Sequence, residues 1–354
     1  MNSPGGLFSS RLIDWQGQHG RHDLPWQKTR DAYRIWLSEI MLQQTQVGTV
    51  IPYYTRFLER FPTIEDLARA PLDSVLERWA GLGYYARARN LHRCAQAIVA
   101  DHGGKFPQDP GTITELPGIG RSTAAAISAF AFGTRAAILD GNVKRVLARC
   151  FGVEGFPGSA LTEKEMWRLA EDLLPNDHIE TYTQGLMDLG STLCTRSKPF
   201  CGACPMHELC IARRDGRTAE LPVARPKKVL PERETTLLLL TDGKRFLLER
   251  RPPAGIWGGL LTLPEGGAAE TREFARRHGF RLIGIHSLPS LKHTFSHFHL
   301  HIQPLLCTVE ATASVAAEAG WQWLGYGDVE TAALPTPIRL LLRTLVMASD
   351  NPTR

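Results

Sequence analysis

The chain has 354 residues, enough for two domains with separate hydrophobic cores. Its 43% hydrophobic and 22% charged residues are typical of a globular protein and argue against a disordered chain. The formal net charge of +5 permits a polyanionic partner without requiring one. No basic segment followed by an apolar one opens the chain, so we expect no signal peptide and a cytoplasmic protein. The most apolar window, residues 122–139, contains Gly133 and Arg135 and is expected to be a core helix with its connection, not a membrane span.

Helical spacing of apolar residues dominates the first part of the chain. It predicts a helix over residues 7–20, a loop at 24–27, a helix over 36–47 and further helices to about residue 102. More helices are expected up to about residue 193, and no segment before that point is typical of a strand.

The predicted helix over residues 36–47 carries a polar face. Glu39, Gln43 and Gln46 stand at i, i+4 and i+7 beside an apolar face. A polar helix face is usually only solvated, so Glu39 taken alone has no assigned role.

A glycine-flanked aromatic turn, Gly-Leu-Gly-Tyr-Tyr, spans residues 81–85 and is followed by Arg87 and Arg89. Exposed tyrosines among arginines suit stacking on unpaired bases with phosphate contacts alongside. Core packing of one or both tyrosines is the alternative.

Residues 116–123, Leu-Pro-Gly-Ile-Gly-Arg-Ser-Thr, predict a tight turn before a helix of small apolar residues. Backbone N–H groups at a helix N-terminus form an anion site, and a DNA phosphate is the anion expected between two helices. An ordinary helix connection is the alternative. Asp140 follows Gly120 by twenty residues, and the Asp-Gly-Asn sequence there is also suited to capping a helix.

Four of the seven cysteines lie within seventeen residues, with the spacing Cys-x6-Cys-x2-Cys-x5-Cys over residues 194–210. Disulfides are not expected in a chain without a secretion signal. Four thiolates in one loop instead indicate a soft metal or an iron–sulfur cluster, and spacing alone leaves zinc and [4Fe–4S] both open.

The pattern changes after a proline-rich, basic segment at 219–233, which predicts a stiff linker. Strands are predicted at 235–240 and 246–248 around an Asp-Gly turn at 242–243, and a helix at 337–347. Residues 296–302 alternate and predict a strand with one apolar and one histidine face. Its three histidines have no neighbouring carboxylate in sequence, so a metal site there is the less favoured interpretation.

Together, and in this order, the motifs resemble those of the MutY family of adenine DNA glycosylases, within the helix-hairpin-helix superfamily that also includes endonuclease III. The resemblance covers nearly the whole chain. It implies an α plus α/β architecture: a helical glycosylase domain at 1–218, the linker at 219–233, and a Nudix-like α/β domain at 234–354. The glycosylase domain contains the helix-hairpin-helix and the cysteine loop.

The resemblance also implies the chemistry. Glu39 and Asp140 match the family's catalytic carboxylates, and Asn142 matches its nearby asparagine. Adenine leaves readily only when a ring nitrogen is protonated, so Glu39 must hold a proton near neutral pH, as burial favours. Ionised Asp140 would stabilise the cationic sugar electrostatically or by a transient covalent bond. The adenine must first be flipped out of the duplex.

Further site residues are implied in the same way. A [4Fe–4S] cluster is expected at Cys194, Cys201, Cys204 and Cys210. The expected DNA contacts are Gln44 and Tyr84 as duplex wedges, then Gly118, Gly120, Arg121 and Ser122 in the hairpin, and Phe295, Ser296 and His297 at 8-oxoguanine. Trp26, Gln27 and Asp188 are expected near the adenine.

Two departures from related patterns restrict the activity. Endonuclease III carries a Schiff-base lysine where this chain has Ser122, and a hydroxyl cannot form an imine, so no lysine-dependent strand cleavage is expected. In the Nudix-like domain, Arg276 and Arg277 replace metal-binding glutamates, and Glu265 is one residue out of register with the motif's upstream glutamate. Nucleotide hydrolysis is therefore not expected.

The expected partner is duplex DNA with adenine opposite 8-oxoguanine or guanine, bound by a monomer that is nucleoid-associated and uses no nicotinamide or nucleotide cofactor. Three other functions were weighed: a bifunctional glycosylase for oxidised pyrimidines, a Nudix hydrolase tethered to a DNA-binding module, and a non-catalytic DNA-binding protein with a cluster. The first is opposed by Ser122, which replaces the lysine that it needs. The second is opposed by the arginine pair at 276–277, and the third leaves the Glu39–Asp140 pair unexplained.

Overall fold

The computed structural model describes residues 4–226, 229–252, 255–311 and 320–349. The chain divides into two compact units, one made of residues 1–70 and 86–227 and the other of residues 71–85 and 228–354. The short segment 71–85 thus packs with the second unit although it lies, in sequence, within the first. No helix among the described residues is long and apolar enough to cross a membrane.

The first unit is helical. Its described helices are α1 (Pro4–His19), α2 (Ala32–Leu42), α3 (Val47–Arg60), α4 (Ile64–Arg69), α6 (Ala86–His102), α7 (Pro110–Glu115), α8 (Arg121–Phe132), α9 (Gly141–Phe151), α10 (Ala160–Asp172), α11 (Ile179–Asp188) and α12 (Ile211–Arg214); α5 (Leu72–Trp79) belongs to the second unit. A 3₁₀ turn spans Pro25–Lys28 and another Cys201–Ala203, and a π-helix spans Leu189–Leu193. Small residues of α8 pack with α1, α9 and α11 in one core, so the apolar window at 122–139 is a core helix with its connection, as predicted.

The single helix predicted over residues 36–47 is wrong. Helix α2 ends at Leu42 and α3 begins at Val47, because Gln44 adopts a left-handed backbone conformation with φ of +57°. Glu39 therefore shares no helix face with Gln46. The residues between the two helices form a loop instead, and that loop contributes to the candidate site.

The predicted turn at 116–120 joins α7 to α8. Gly118 has φ of +79°, which is strained for a residue with a side chain, and a Cβ atom there would lie 2.6 Å from Cβ of Asn90. Gly120 is the N-cap of α8, and nothing lies within 4 Å of a Cβ built on it. The first glycine is thus required by the fold, whereas the second leaves the helix N-terminus open.

The second unit is built on a sheet of seven described strands: β1 (Glu232–Thr241), β2 (Arg245–Arg250), β3 (Leu261–Thr262), β4 (Phe280–Ser287), β5 (Leu291–Thr294), β6 (His299–Ala311) and β7 (Trp321–Gly325). The order is β3-β2-β1-β6-β4, with β5 on β6 and β7 on β2, and β1 runs parallel to β6. Two further helices are α13 (Thr271–Arg277) and α14 (Thr336–Ser349). Apolar side chains on the two faces of the sheet form two separate cores.

The sequence located the hairpin at 242–243 and the last helix, but two strand limits differ. Strand β1 begins at Glu232, inside the predicted linker, and β6 begins at His299 rather than at Ser296. Residues 295–298 instead form a loop closed by a hydrogen bond from the N–H of Phe295 to the carbonyl of Phe298 at 2.9 Å. This loop carries the Phe-Ser-His sequence.

Candidate active site

A cleft of about 1690 Å³ opens in the first unit. It is larger than a typical small-ligand pocket of roughly 300–1,000 Å³. Of the site residues predicted from the sequence, seven line it: Trp26, Gln27, Glu39, Gln44, Ser122, Asp140 and Asn142. The cleft therefore brings together two carboxyl groups that are separated by a hundred residues in the chain.

Glu39 extends from α2 into this cleft and is partly buried. Burial, followed by the charge of Asp140, raises the pKa of its carboxyl to about 8. A carboxylic acid with this pKa still carries its proton at neutral pH. Glu39 can therefore act as a proton donor.

Asp140 is the N-cap of α9, and its carboxylate accepts a hydrogen bond from the N–H of Val143 at 2.8 Å. Burial raises its pKa, while the Val143 N–H and the positive charge of Arg145 act in the opposite direction. Both of these favour the ionised form, but burial is the largest effect and the pKa of Asp140 is raised overall. The two carboxyl groups are thus in different environments: an N–H and a cation support the ionised form of Asp140, while burial and a neighbouring carboxylate raise the pKa of Glu39.

Arg145, one turn after Asn142 on α9, connects this helix to the segment before the cysteine loop. Its guanidinium donates to Oδ1 of Asn142 at 2.8 Å and to the carbonyls of Gly190 and Cys194, each at 2.7 Å. Gly190 lies so close to α9 that a Cβ atom there would be 2.6 Å from Cβ of Asn142. Asn142 in turn approaches Asp140 at 3.5 Å. Arg145 therefore orients the asparagine beside Asp140.

Arg87 has a different environment from the one that the sequence suggested. It is buried rather than exposed for phosphate contact, and Nη1 donates to the carbonyls of Ile40 and Met41 at 2.9 and 2.8 Å. Nη2 donates to Oγ1 of Thr45 at 3.1 Å. The two carbonyls belong to the last turn of α2, and the Thr45 hydroxyl belongs to the loop after it. Arg87 therefore holds the end of the helix that carries Glu39.

The proposed adenine pocket contains a buried aspartate behind its surface. Asp188 is fully buried and does not line the cleft; it accepts hydrogen bonds from the backbone N–H and Nε of Arg21, at 2.9 and 2.7 Å. It also accepts one from Gln184 at 2.8 Å. Arg21 and Gln184 both line the cleft, so Asp188 positions two cleft residues that the sequence analysis did not single out. The side-chain amide of Gln27 already has a partner within the protein, because it donates a hydrogen bond to the carbonyl of Arg21 at 2.9 Å.

Two hairpin residues have partners within the protein. Arg121 is paired with Glu171 and lies 3.8 Å from the centre of the Trp167 ring. Ser122 Oγ accepts a hydrogen bond from the N–H of Leu139 at 2.9 Å. Contacts of these residues with DNA stay a prediction.

The four clustered cysteines line one small cavity, together with the buried Cys150. Across the described ranges, no three His, Cys, Asp or Glu side chains converge as a single metal ion requires. Arg149 donates to Sγ of Cys194 at 3.4 Å. A hydrogen bond from Cys150 lowers the pKa of Cys210 to about 6, whereas burial raises the pKa of Cys201 and raises that of Cys204 to about 12. Cys210 therefore reaches the metal-binding thiolate form at a lower pH than Cys201 or Cys204.

Comparisons with known proteins agree with this geometry. Residues 37–172 match the model of the HhH-GPD superfamily of base excision DNA repair proteins, and residues 235–344 match a NUDIX domain. The adenine DNA glycosylase of Buchnera aphidicola subsp. Acyrthosiphon pisum is 36% identical over 338 residues, which are 95% of this chain and 97% of that protein. The human adenine DNA glycosylase is 32% identical over 95% of this chain and 73% of its own length.

The chain belongs to the adenine DNA glycosylase family. It is thus a DNA glycosylase, an enzyme of base excision repair, as the sequence predicted. A thermostable thymine-DNA glycosylase superposes with a TM-score of 0.55 at 33% identity, over 60% of this chain and 97% of that one. An endonuclease III–DNA complex superposes with a TM-score of 0.52 at 22% identity, covering 61% of this chain and 99% of that one, and shows the shared fold.

The second unit of the glycosylase contains the Phe295–His297 loop and Tyr84. Phe295 stacks on Phe298 at 4.6 Å, so its ring anchors the loop, while Ser296 is exposed. Tyr84 is 61% exposed with φ of +49°, which argues against core packing of this tyrosine. Its role as a duplex wedge stays a prediction. In the NUDIX region, Arg276 and Arg277 form ion pairs with Glu273 on the surface of α13.

Proposed function

We propose that this enzyme removes adenine opposite 8-oxoguanine or guanine from duplex DNA by hydrolysing the N-glycosidic bond, and that it leaves the abasic strand intact. The observation that carries the proposal is the pair of unlike carboxyl groups in one cleft: the pKa of Glu39 is raised to about 8, while the Asp140 carboxylate accepts the N–H of Val143 and is favoured by the charge of Arg145.

Each carboxyl group has one task in this reaction. Protonated Glu39 donates its proton to a ring nitrogen of the flipped adenine, which turns the base into a neutral leaving group. As the bond breaks, positive charge develops on the sugar, and the Asp140 carboxylate stabilises it. A water molecule then adds to the sugar carbon and gives its proton to the Glu39 carboxylate left by the first transfer, which completes the hydrolysis and restores the acid. Asn142, held by Arg145, lies beside that carboxylate.

Opening of the duplex is the role that we assign to Gln44 and Tyr84. Both have left-handed backbone conformations, with φ of +57° and +49°, and both side chains are exposed. Strained conformations outside glycine persist where the surrounding structure enforces them and are common at functional sites. Unstacking a base costs a few kcal/mol, which such side chains can offset by filling the gap.

The absence of strand cleavage follows from Ser122. Its hydroxyl cannot form the imine that a lysine would form, and it is engaged by the N–H of Leu139. Damaged-base recognition is assigned to the exposed Ser296 in the Phe295–His297 loop.

The cysteine loop supports a [4Fe–4S] cluster held by Cys194, Cys201, Cys204 and Cys210. A cubane takes one thiolate at each of four irons, so it needs four sulfur atoms around a cavity, which is how these side chains lie. When bound, the cluster supplies a structural link between chain segments. Arg196 and Lys198, within the loop, are then the candidates for phosphate contact.

One alternative rests on a specific observation. The thymine-DNA glycosylase neighbour shares a third of its sequence with the first part of this chain. Thymine opposite guanine is therefore the competing substrate.

The test is a single-turnover assay on end-labelled duplexes with adenine opposite 8-oxoguanine, adenine opposite guanine, and thymine opposite guanine. We expect breaks in the adenine strand only after alkaline treatment. Breaks without alkali would mean that another nucleophile replaces the missing lysine. Release of thymine but not adenine would reject the proposal. The matched control is Glu39→Gln, which should bind the same duplex without removing its adenine.

A further inference from the structure

The exposed Tyr84 belongs to the second unit, although its segment is inserted in sequence between α4 and α6 of the first. Helix α5 leads into the turn and is anchored by three fully buried side chains, Val75, Leu76 and Trp79. Nε1 of Trp79 donates to the carbonyl of Gly83 at 3.1 Å, directly before Tyr84. The turn at 81–85 is therefore held by Trp79, while the side chain of Tyr84 is exposed.

Two further contacts connect this segment to the sheet of the same unit. At the start of α5, Asp73 pairs with Arg250, the last residue of β2, at 2.9 Å. After the turn, the hydroxyl of Tyr85 donates to the carbonyl of Leu334 at 3.3 Å, and Leu334 is buried in the core on one face of the sheet. The segment thus contacts strand β2 before Tyr84 and a loop residue packed in the core after it.

The loop assigned to 8-oxoguanine belongs to the same body. Phe295 and Phe298 pack in the core that also contains Leu334. The segment that carries Tyr84 is therefore hydrogen-bonded to a residue of the core that supports the 8-oxoguanine loop.

We propose that the Asp73–Arg250 ion pair and the Tyr85–Leu334 hydrogen bond are positioning contacts that make the Tyr84 wedge part of the 8-oxoguanine-reading unit, so that engagement of the damaged base fixes the wedge. The inference rests on the proposed function. Tyr85, Asp73 and Arg250 act through Tyr84 and contact no reacting atom. Their loss should reduce the preference for 8-oxoguanine over guanine more than it reduces adenine excision itself.

The test uses the full chain with Tyr85→Phe or Asp73→Asn. Duplexes carry adenine opposite 8-oxoguanine or guanine, with 2-aminopurine next to the purine opposite adenine as a fluorescent reporter of unstacking. Binding is measured in the Glu39→Gln background and excision in the native one. Loss of one hydrogen bond should weaken binding to the 8-oxoguanine duplex about fivefold, with a smaller fluorescence increase and less effect on the guanine duplex.

Matched controls lie in the same unit. Tyr326→Phe removes a hydroxyl that contacts Thr241 at 2.9 Å, and Glu310→Gln breaks an exposed ion pair with Arg281. Both should behave as wild type. If Tyr85→Phe and Asp73→Asn match these controls, or weaken both duplexes equally, the inference is wrong. Failure of the proposed function is distinguishable, because the wild-type enzyme would then release no adenine whatever the fluorescence reports.

Discussion

The hydroxyl of Ser122 accepts a hydrogen bond from the backbone N–H of Leu139 at 2.9 Å. This contact ties the first turn of α8 to the residue directly before Asp140. The side chain of Ser122 thus supports the backbone that presents the Asp140 carboxylate to the cleft.

We predict that Ser122→Ala lowers the adenine excision rate several-fold and the free energy of unfolding by about 1 kcal/mol, because the N–H of Leu139 loses its acceptor. Ser122→Thr keeps a hydroxyl and should retain most of both. Single-turnover rates and thermal unfolding measure the two effects. An unchanged rate in Ser122→Ala would show that the contact does not position Asp140.

The pKa of Glu39 predicts the alkaline limit of activity. Because the proton donor has a pKa of about 8, the single-turnover rate should decline as pH rises through 8. The decline in rate should fit the ionisation of one group. In Glu39→Gln the rate should be too low for any such decline to be measured. A rate that keeps rising to pH 9.5 would contradict the role of Glu39 as an acid.

The same group affects stability with a definite sign. The pKa of Glu39 is raised from its ordinary value of 4.5 to about 8 in the folded protein. The folded state therefore binds the proton more tightly than the unfolded state does. The stabilising effect of that proton is complete below pH 4.5 and is lost as pH rises to about 8. The difference in unfolding free energy between Glu39→Gln and wild type should therefore increase over this window, which denaturant unfolding at pH 5 and pH 9 can measure.

The two hairpin glycines should differ when each is replaced by alanine. Gly118→Ala places a Cβ atom 2.6 Å from Cβ of Asn90 at φ of +79°, so we expect a loss of about 1–3 kcal/mol. Gly120→Ala meets no atom within 4 Å and should cost less. If Gly120 approaches a phosphate, its replacement should weaken DNA binding without a matching loss of stability. Equal unfolding midpoints for the two variants would contradict this.

Short sequence patterns predicted the turns and helix caps of the site, because a few neighbouring residues determine them. The hairpin needs a residue with positive φ at Gly118, and Asp140 caps the helix that follows it. Both signals are contained in a few neighbouring residues. The placement of Asp140 and Glu39 in one cleft is not local, and it was expected only from resemblance to a family.

What the sequence missed are contacts between distant segments. Nothing near Arg87 indicates that it caps α2, forty-six residues earlier. The break at Gln44 was hidden because its neighbours continue a helical pattern of apolar residues. Asp188 similarly acts through Arg21, at the opposite end of the unit's sequence. Burial and long-range hydrogen bonds decided each case.

Arg149 gives the sharpest prediction for the cysteine loop. It is buried and donates to the carbonyls of Thr195, Arg196 and Leu221 at 2.7, 3.0 and 2.9 Å, besides Sγ of Cys194. Arg149→Met leaves these acceptors, of which the Leu221 carbonyl is buried, without their donor, at a cost of about 1–3 kcal/mol.

If the loop holds the proposed [4Fe–4S] cluster, it should then hold it less tightly, so we expect a lower iron content per chain, weaker visible absorption and faster loss of iron to a chelator. Arg213→Met is the matched control, because Arg213 also lines the cysteine cavity but is exposed and makes one weak contact, to the carbonyl of His207 at 3.3 Å. Equal iron retention in the two variants would show that Arg149 does not organise the loop. Iron retention with lowered thermal stability would restrict its role to folding.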